Sequence, residues 1–288
     1  MQQTQHQQLA RELLLGAYDL HTHPWPSHVA RAMDDDALFR EAEAWGMAGV
    51  VLKNHYEPTG ARAALLNRRN AGSATLAYGS VTLNWPLGGL NPYAMESALR
   101  LGARMVWFPT RDSAYSLRCG DMPGDFFSRP GLSALDGEGR LKPEVSDLFD
   151  LAVQYNVPLA TGHLSMPESA ALCKAGRARG VRMILTHPEW RRTVAPLEFQ
   201  QEMAALGVMI EKCWLNLREG DCSEAYMMHT IRSLGAGAVF LSTDCGLVQF
   251  EPPVAGMADF LERLLANGFS VEEIRAMSAA NPAALLGL

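Results

Sequence analysis

Five of the eight histidines in this 288-residue sequence, His21, His23, His55, His163 and His187, stand where a short apolar run ends. His21 and His23 are two apart in Asp19-Leu20-His21-Thr22-His23-Pro24, and the period of two along a strand places both imidazoles on one face. Two imidazoles so placed can grip one divalent ion. His163, in Thr161-Gly162-His163, and Asp244, in Ser242-Thr243-Asp244, can complete the shell. Three nitrogens and one carboxylate oxygen suit Zn2+, with Mn2+ or Fe2+ as further options. The chemistry expected of such a set is activation of a water, whose pKa a bound divalent ion lowers toward ~7.

These residues can cooperate only if the chain gathers the ends of its apolar runs in one place. Runs rich in Val, Ile and Leu predict strands at Ala17–His23, Gly49–Asn54, Ala74–Asn84, Ala103–Thr110, Val157–His163, Val181–His187, Val208–Trp214 and Ala238–Asp244. Helical spacing fills the intervals, at Asp34–Trp45, Thr59–Arg69, Pro92–Leu101, Pro143–Tyr155, Pro167–Arg179, Pro196–Leu206, Ser223–Leu234 and Gly256–Asn267. Several of these helices begin at or next to Pro, which suits a helix N-terminus. Strands alternating with helices imply parallel pairing through crossovers.

Most strand ends are spaced by 24 to 31 residues, but Thr110 to His163 takes 53. The excess is a Gly/Pro-rich excursion over residues 111–142, with a hairpin expected to turn at Asp136-Gly137. Eight such units in one chain predict an α/β fold, a closed (β/α)8 TIM barrel with an excursion after strand 4. All 288 residues then form one domain. An extra C-terminal helix is expected at Ser270–Ala280, opened by a Ser270/Glu273 capping box and broken by Asn281-Pro282. Residues 1–12 read as a flexible tail or a leading helix, the Gln-rich first eight residues as frayed. No G-x-G-x-x-G follows the first strand, which argues against an open nucleotide-binding sheet.

Composition removes other functions. Apolar residues make up 48% of the chain and charged residues 19%, enough for a sizeable core. The net charge of −6 argues against a nucleic-acid or anionic-membrane partner. Five cysteines without a C-x-x-C pair form no disulfide framework or zinc knuckle, so the expectation is a reducing cytosol and a cytoplasmic protein. Cys245 and Cys213 read as buried packing rather than as nucleophiles.

Taken together, DLHTHP, ATGH, LTHPE, LSTDCG and NPAALLGL resemble the metal-dependent amidohydrolase superfamily, from Tyr18 to Leu288. The resemblance is greatest to its small uncharacterised branch. It implies a metal-dependent hydrolase of an amide, ester or lactone, with His21, His23, His163 and Asp244 as ligands. Dinuclear members bridge two ions with a carbamylated Lys or a Glu at the end of strand 4. Here that strand reads Arg104-Met105-Val106-Trp107-Phe108-Pro109-Thr110 and has neither, which favours one ion. Lys53 and Glu211 are carboxylate or carbamate substitutes only from other strands. With one ion, Asp244 is the catalytic acid/base and His187 hydrogen-bonds the carbonyl or leaving group; with two, His187 holds the second.

Lys53 and His55 at the end of strand 2, and Arg191 after strand 6, are read as substrate-binding groups for a small-molecule, anionic substrate. Trp107, Trp214 and Tyr115 are candidates for the pocket wall. The excursion, with Gly120, Gly124 and Gly131, serves either as a lid or as a contact surface in a homo-oligomer. Two other functions share these residues: a mononuclear decarboxylase, and a barrel that binds metal without catalysis.

Overall fold

A computed structural model describes residues 2–288. The strands are β1 (Tyr18–Thr22), β2 (Gly49–Leu52), β3 (Leu76–Thr82), β4 (Ala103–Trp107), β5 (Leu159–Ala160), β6 (Met183–Leu185), β7 (Met209–Cys213) and β8 (Val239–Ser242). They pair in parallel in sequence order from β1 to β8. The ring is completed where β8 returns to β1. Asp244 donates its N–H to the His21 carbonyl at 2.8 Å, and His23 donates to the Cys245 carbonyl at 2.8 Å. The (β/α)8 barrel expected from the alternation is therefore the observed fold.

Thirteen α-helices wrap the described residues. In chain order they are α1 (Gln2–Leu13), α2 (Asp35–Ala44), α3 (Gly60–Arg69), α4 (Pro92–Arg100), α5 (Ala114–Arg118), α6 (Pro143–Gln154) and α7 (Met166–Ala178). There follow α8 (Leu197–Ala205), α9 (Trp214–Arg218), α10 (Glu224–Leu234), α11 (Pro253–Ala266), α12 (Val271–Arg275) and α13 (Asn281–Leu286). The eight helices read between the strands are all present, with ends that differ by at most three residues. The starts of α4, α6, α7 and α11 do carry Pro in the first turn.

Two local expectations need correction, and a third is refined. The Gln-rich start is not a frayed tail but the beginning of α1, anchored because Ala10, Leu13 and Leu14 bury their side chains in the outer core. Asn281-Pro282 does not stop the terminal helix. Residues Ala276–Ala280 widen into a π-helical turn and α13 continues from Asn281. Pro282 sits in the first turn of α13, where a missing N–H costs little. The hairpin of the excursion forms as expected, with Leu135 bridged to Leu141 and the turn running from Asp136-Gly137 to Gly139, the left-handed residue (φ 79°).

The barrel interior is filled by Leu20, Val51, Met105, Trp107, Ala160, Ile184 and Phe240, with Leu285 and Leu286 of α13 packed against them as a floor. A larger apolar layer lies between strands and helices. The buried imidazoles of His21, His23, His55, His163 and His187 gather with Asp244 at the opposite, C-terminal end of the strands. That end is where barrels of this kind place their chemistry.

Candidate metal centre

The first two imidazoles depend on an irregularity in β1. Its register against β2 shifts between Asp19 and Thr22. Leu20 packs in the barrel interior, yet the His21 ring also faces inward, 5.5 Å from the Trp107 ring. The shift thus breaks strict alternation and aims His21 and His23 into the mouth. Asp19 clamps this segment: its carboxylate accepts from the N–H groups of His21 and Thr243, each at 3.1 Å, and from Thr243 Oγ1 at 2.5 Å. Burial drives the Asp19 carboxyl up to about 7 despite those bonds.

His21 is the hub. Its Nδ1 lies 3.0 Å from Glu211 Oε1, on β7, which also accepts from Ser242 Oγ at 2.8 Å. Its Nε2 lies 2.9 Å from Asp244 Oδ1 and 2.7 Å from Lys53 Nζ. His23 Nε2 meets the same Asp244 oxygen at 3.0 Å. Burial lowers the His21 pKa, but the Asp244 and Glu211 carboxylates outweigh it and leave it raised. Burial works against the Asp244 charge too, yet the two imidazoles hold its pKa well below the usual range. Lys53, fully buried and 4.7 Å above the Trp107 ring, is brought down to about 8 by desolvation.

His187 and Asp244 share an uncommon backbone. Their φ angles are +26° and +57°, left-handed values that cost on the order of 1–3 kcal/mol for a non-glycine residue. Strain of this kind concentrates where function requires it. His187 Nδ1 lies 3.1 Å from Thr193 Oγ1, and burial lowers its pKa to about 4. Burial also keeps His23, His55 and His163 well below their ordinary values, so these imidazoles are neutral and carry lone pairs.

His163 reaches the mouth because the backbone of β5 lies hard against β4. Gly162 adopts φ +62°, and a Cβ there would stand 2.3 Å from the Phe108 carbonyl oxygen. The next residue then donates its N–H to the Pro109 carbonyl at 3.0 Å. His55 is oriented by Thr110, whose Oγ1 is 2.9 Å from its Nδ1.

His23, Lys53, His55, His163, His187 and Asp244 line one cavity of about 70 Å³. His21 lies directly beneath it, with no exposed surface. Ligand atoms of His21, His23 and Asp244 come within 4.8 Å of one another; His163 lines the cavity without joining that tight group. His23 Nδ1 and His163 Nδ1 are buried with no partner. Donors bound tetrahedrally at Zn–N distances of ~2.1 Å are about 3.4 Å apart, so a 2.9–3.0 Å cluster needs only a slight expansion to admit an ion. The donor set, two imidazole nitrogens and a carboxylate with neutral histidines alongside, fits a divalent metal. Lys53 Nζ is the competitor, since its bond to His21 Nε2 uses the lone pair that an ion requires. A second group, His21, Glu211 and Cys213, is less suitable, because burial holds the Cys213 thiol protonated.

Arg191 is not at the cavity. Its side chain is 60% exposed and pairs with Asp221 at 3.0 Å and Glu219 at 3.7 Å. Trp107 and Trp214 are buried core, and the aromatic wall is Trp190, 4.5 Å from the His163 ring. Cys213 and Cys245 are buried, as expected of packing residues. The excursion reaches the cavity through Met122 and is pinned by Tyr56 Oη to the Gly124 carbonyl, 2.9 Å, and Arg192 Nη1 to the Gly120 carbonyl, 2.6 Å. Sequence reasoning missed Arg31 and Arg111, which also line the cavity. Neither follows a motif; a loop brings each of them there.

Solved structures that share this fold include an amidohydrolase, an organophosphorus hydrolase and a decarboxylase. An amidohydrolase from Pseudomonas aeruginosa superposes with a TM-score of 0.67 at 11% identity, over 96% of this chain and 97% of that one. The organophosphorus hydrolase from Deinococcus radiodurans gives 0.57 at 15%, over 96% and 94%. The 2,6-dihydroxybenzoate decarboxylase from Rhizobium gives 0.54 at 15%, over 95% and 99%. At such identities the likeness is one of fold. No curated protein matches the chain in sequence. The chain belongs to a family described as "Family of unknown function (DUF6282)", whose profile matches residues 16–211.

Proposed function

We propose that the chain is a metal-dependent hydrolase that cleaves an amide, ester or lactone bond of a small substrate, with a single ion held by His21, His23, Asp244 and His163. The observation that carries this reading is the meeting of two imidazole nitrogens on one carboxylate oxygen, at 2.9 and 3.0 Å, beneath a cavity at the strand ends. Zn2+ suits the donors best, and when bound such an ion supplies Lewis acidity toward a carbonyl and toward water.

The remaining work falls to side chains. Glu211 fixes the His21 ring from behind. Asp244, with 18% of its side chain exposed to the cavity, is the proton acceptor for the attacking water and later returns the proton to the leaving group. His187, tied through Nδ1 to Thr193, offers its other nitrogen to the carbonyl or the leaving group. Trp190 and Met122 exclude water from the mouth. The end of β4 and the residues after it, Trp107-Phe108-Pro109-Thr110, offer no Lys or Glu to bridge a second ion, and the Thr110 hydroxyl is taken by His55 and Asn84, which favours one ion.

Decarboxylation is the second reading, favoured by the decarboxylase among the fold relatives. Metal analysis of the purified chain, followed by assays on amides, esters, lactones and phosphoesters beside carboxylates with CO2 detection, tests both. The expectation is about one ion per chain and hydrolysis that Asp244→Ala reduces by about 10²–10⁴-fold. CO2 release without hydrolysis favours the second reading. Absence of bound metal, or wild-type turnover by Asp244→Ala, overturns the proposal.

A further inference from the structure

The cations of the cavity are not all used by the hydrolase reading. Arg31 lies in the loop after β1, fastened to the loop after β8 by an antiparallel bridge to Leu247 and by the Ala32 N–H bond to the Gly246 carbonyl at 2.9 Å. Its half-buried guanidinium lines the cavity and has no ion-pair partner among the described residues, and its Nε is buried without a hydrogen bond. Burial, and then the like charge of Arg111, bring its pKa down to about 10.

Arg111, at the start of the excursion, is only 6% exposed. Its Nη1 donates to the Pro123 carbonyl at 2.5 Å and to Asp125 at 2.9 Å, while its Nε is again buried without a partner. Asp125 is shared with Arg129 at 3.6 Å, and Arg129 also pairs with Asp112. Two arginines and two aspartates thus balance, and Arg31 is left in surplus. The two carboxylates lining the same cavity are already engaged, Asp244 by His21 and His23, Glu219 by Arg191. A desolvated guanidinium without a counter-charge is costly, and a planar fork of N–H donors matches the parallel oxygens of an oxyanion.

We propose that Arg31 and Arg111 form an oxyanion subsite that takes the carboxylate or phosphate group of a small anionic substrate, adjacent to the bond cleaved at the His21–His23–Asp244 cluster. The subsite rests on the hydrolase reading only for which bond lies next to it. Both arginines line the same cavity as His23, His163, His187 and Asp244, so the charged group lies close to the reacting centre.

The test titrates the full chain with acetate, inorganic phosphate and neutral acetamide. Binding is followed by the arginine Nε–H NMR signals and by melting temperature, on the protein as purified and after chelator treatment. One or both oxyanions should bind in both preparations, shift the Arg31 signal and identify which anion is preferred; acetamide should do neither. Arg31→Gln should weaken binding by about tenfold or more, and Arg31→Lys, a point charge without the fork, by a smaller factor. Circular dichroism checks that each variant is folded, and Arg31→Lys carries the comparison should Arg31→Gln not be. Equal binding by wild type and variants overturns the subsite, as does acetamide binding like acetate. Oxyanion binding lost on chelation also overturns it, because the ion rather than the arginines then holds the anion. Metal content of the same preparations separates this failure from failure of the hydrolase reading.

Discussion

Glu211 Oε1 lies 3.0 Å from His21 Nδ1, and both groups are fully buried. An ionised carboxylate only accepts, so Nδ1 carries a proton toward Glu211, and Nε2, which faces Asp244 and Lys53, is the nitrogen left to meet an ion. The pair therefore fixes which nitrogen can bind an ion. Glu211→Gln should lower metal affinity by about 10- to 100-fold without changing the fold, measured by competition with a chromophoric chelator. Unchanged affinity would remove Glu211 from the site.

Lys53 Nζ occupies the same lone pair at 2.7 Å. Two cations within about 4 Å repel by several kcal/mol at an effective dielectric near 20. Lys53→Met should raise metal affinity by about tenfold or more, read in the same competition assay. A fall in affinity would instead show that the lysine supports the ion, for example as a modified ligand.

Gly162 brings β5 onto β4 with φ +62° and no room for a methyl group. Gly162→Ala should cost about 2 kcal/mol or more in chemical denaturation and displace His163 from the mouth. Metal affinity should drop along with stability. A stable variant with unaltered affinity would mean that His163 is not a ligand.

On the outer side of β7, Lys212 forms an ion pair with Glu189 in which both side chains are fully buried, and its Nζ also donates to Gln200 at 2.7 Å and Thr230 at 2.9 Å. Glu189→Ala leaves that ammonium unpaired and should destabilise the chain by roughly 3–5 kcal/mol. Combining it with Lys212→Met should recover most of the loss. Denaturant titration of the three proteins decides, and additive losses would contradict the pairing.

The barrel was legible because many of its strands, β2, β5, β6 and β8 above all, are fully buried apolar runs that reach a polar residue where they leave the sheet. His21, His23, His163, His187 and Asp244 could be placed for that reason. Arg31 and Arg111 could not, since nothing in a loop's composition states which part of the mouth it will cross. Arg191 illustrates the reverse: it follows His187 closely in sequence, but the chain turns outward and delivers it to Asp221 on the surface. The end of the C-terminal helix was misread because a π-helical turn absorbs the proline, and a π turn leaves no mark in residue type.

Asp19 and Thr243 meet across 224 residues of sequence, and the same seam joins His21 to Asp244 and Ala32 to Gly246. No fragment containing only the early or only the late strands can assemble the His21–His23–Asp244 cluster. Contacts between such distant partners form late and slowly during folding. On the proposed metal-dependent reading, uptake of an ion would report that the ring has shut, and a chain stalled before that step would be inert rather than partly active.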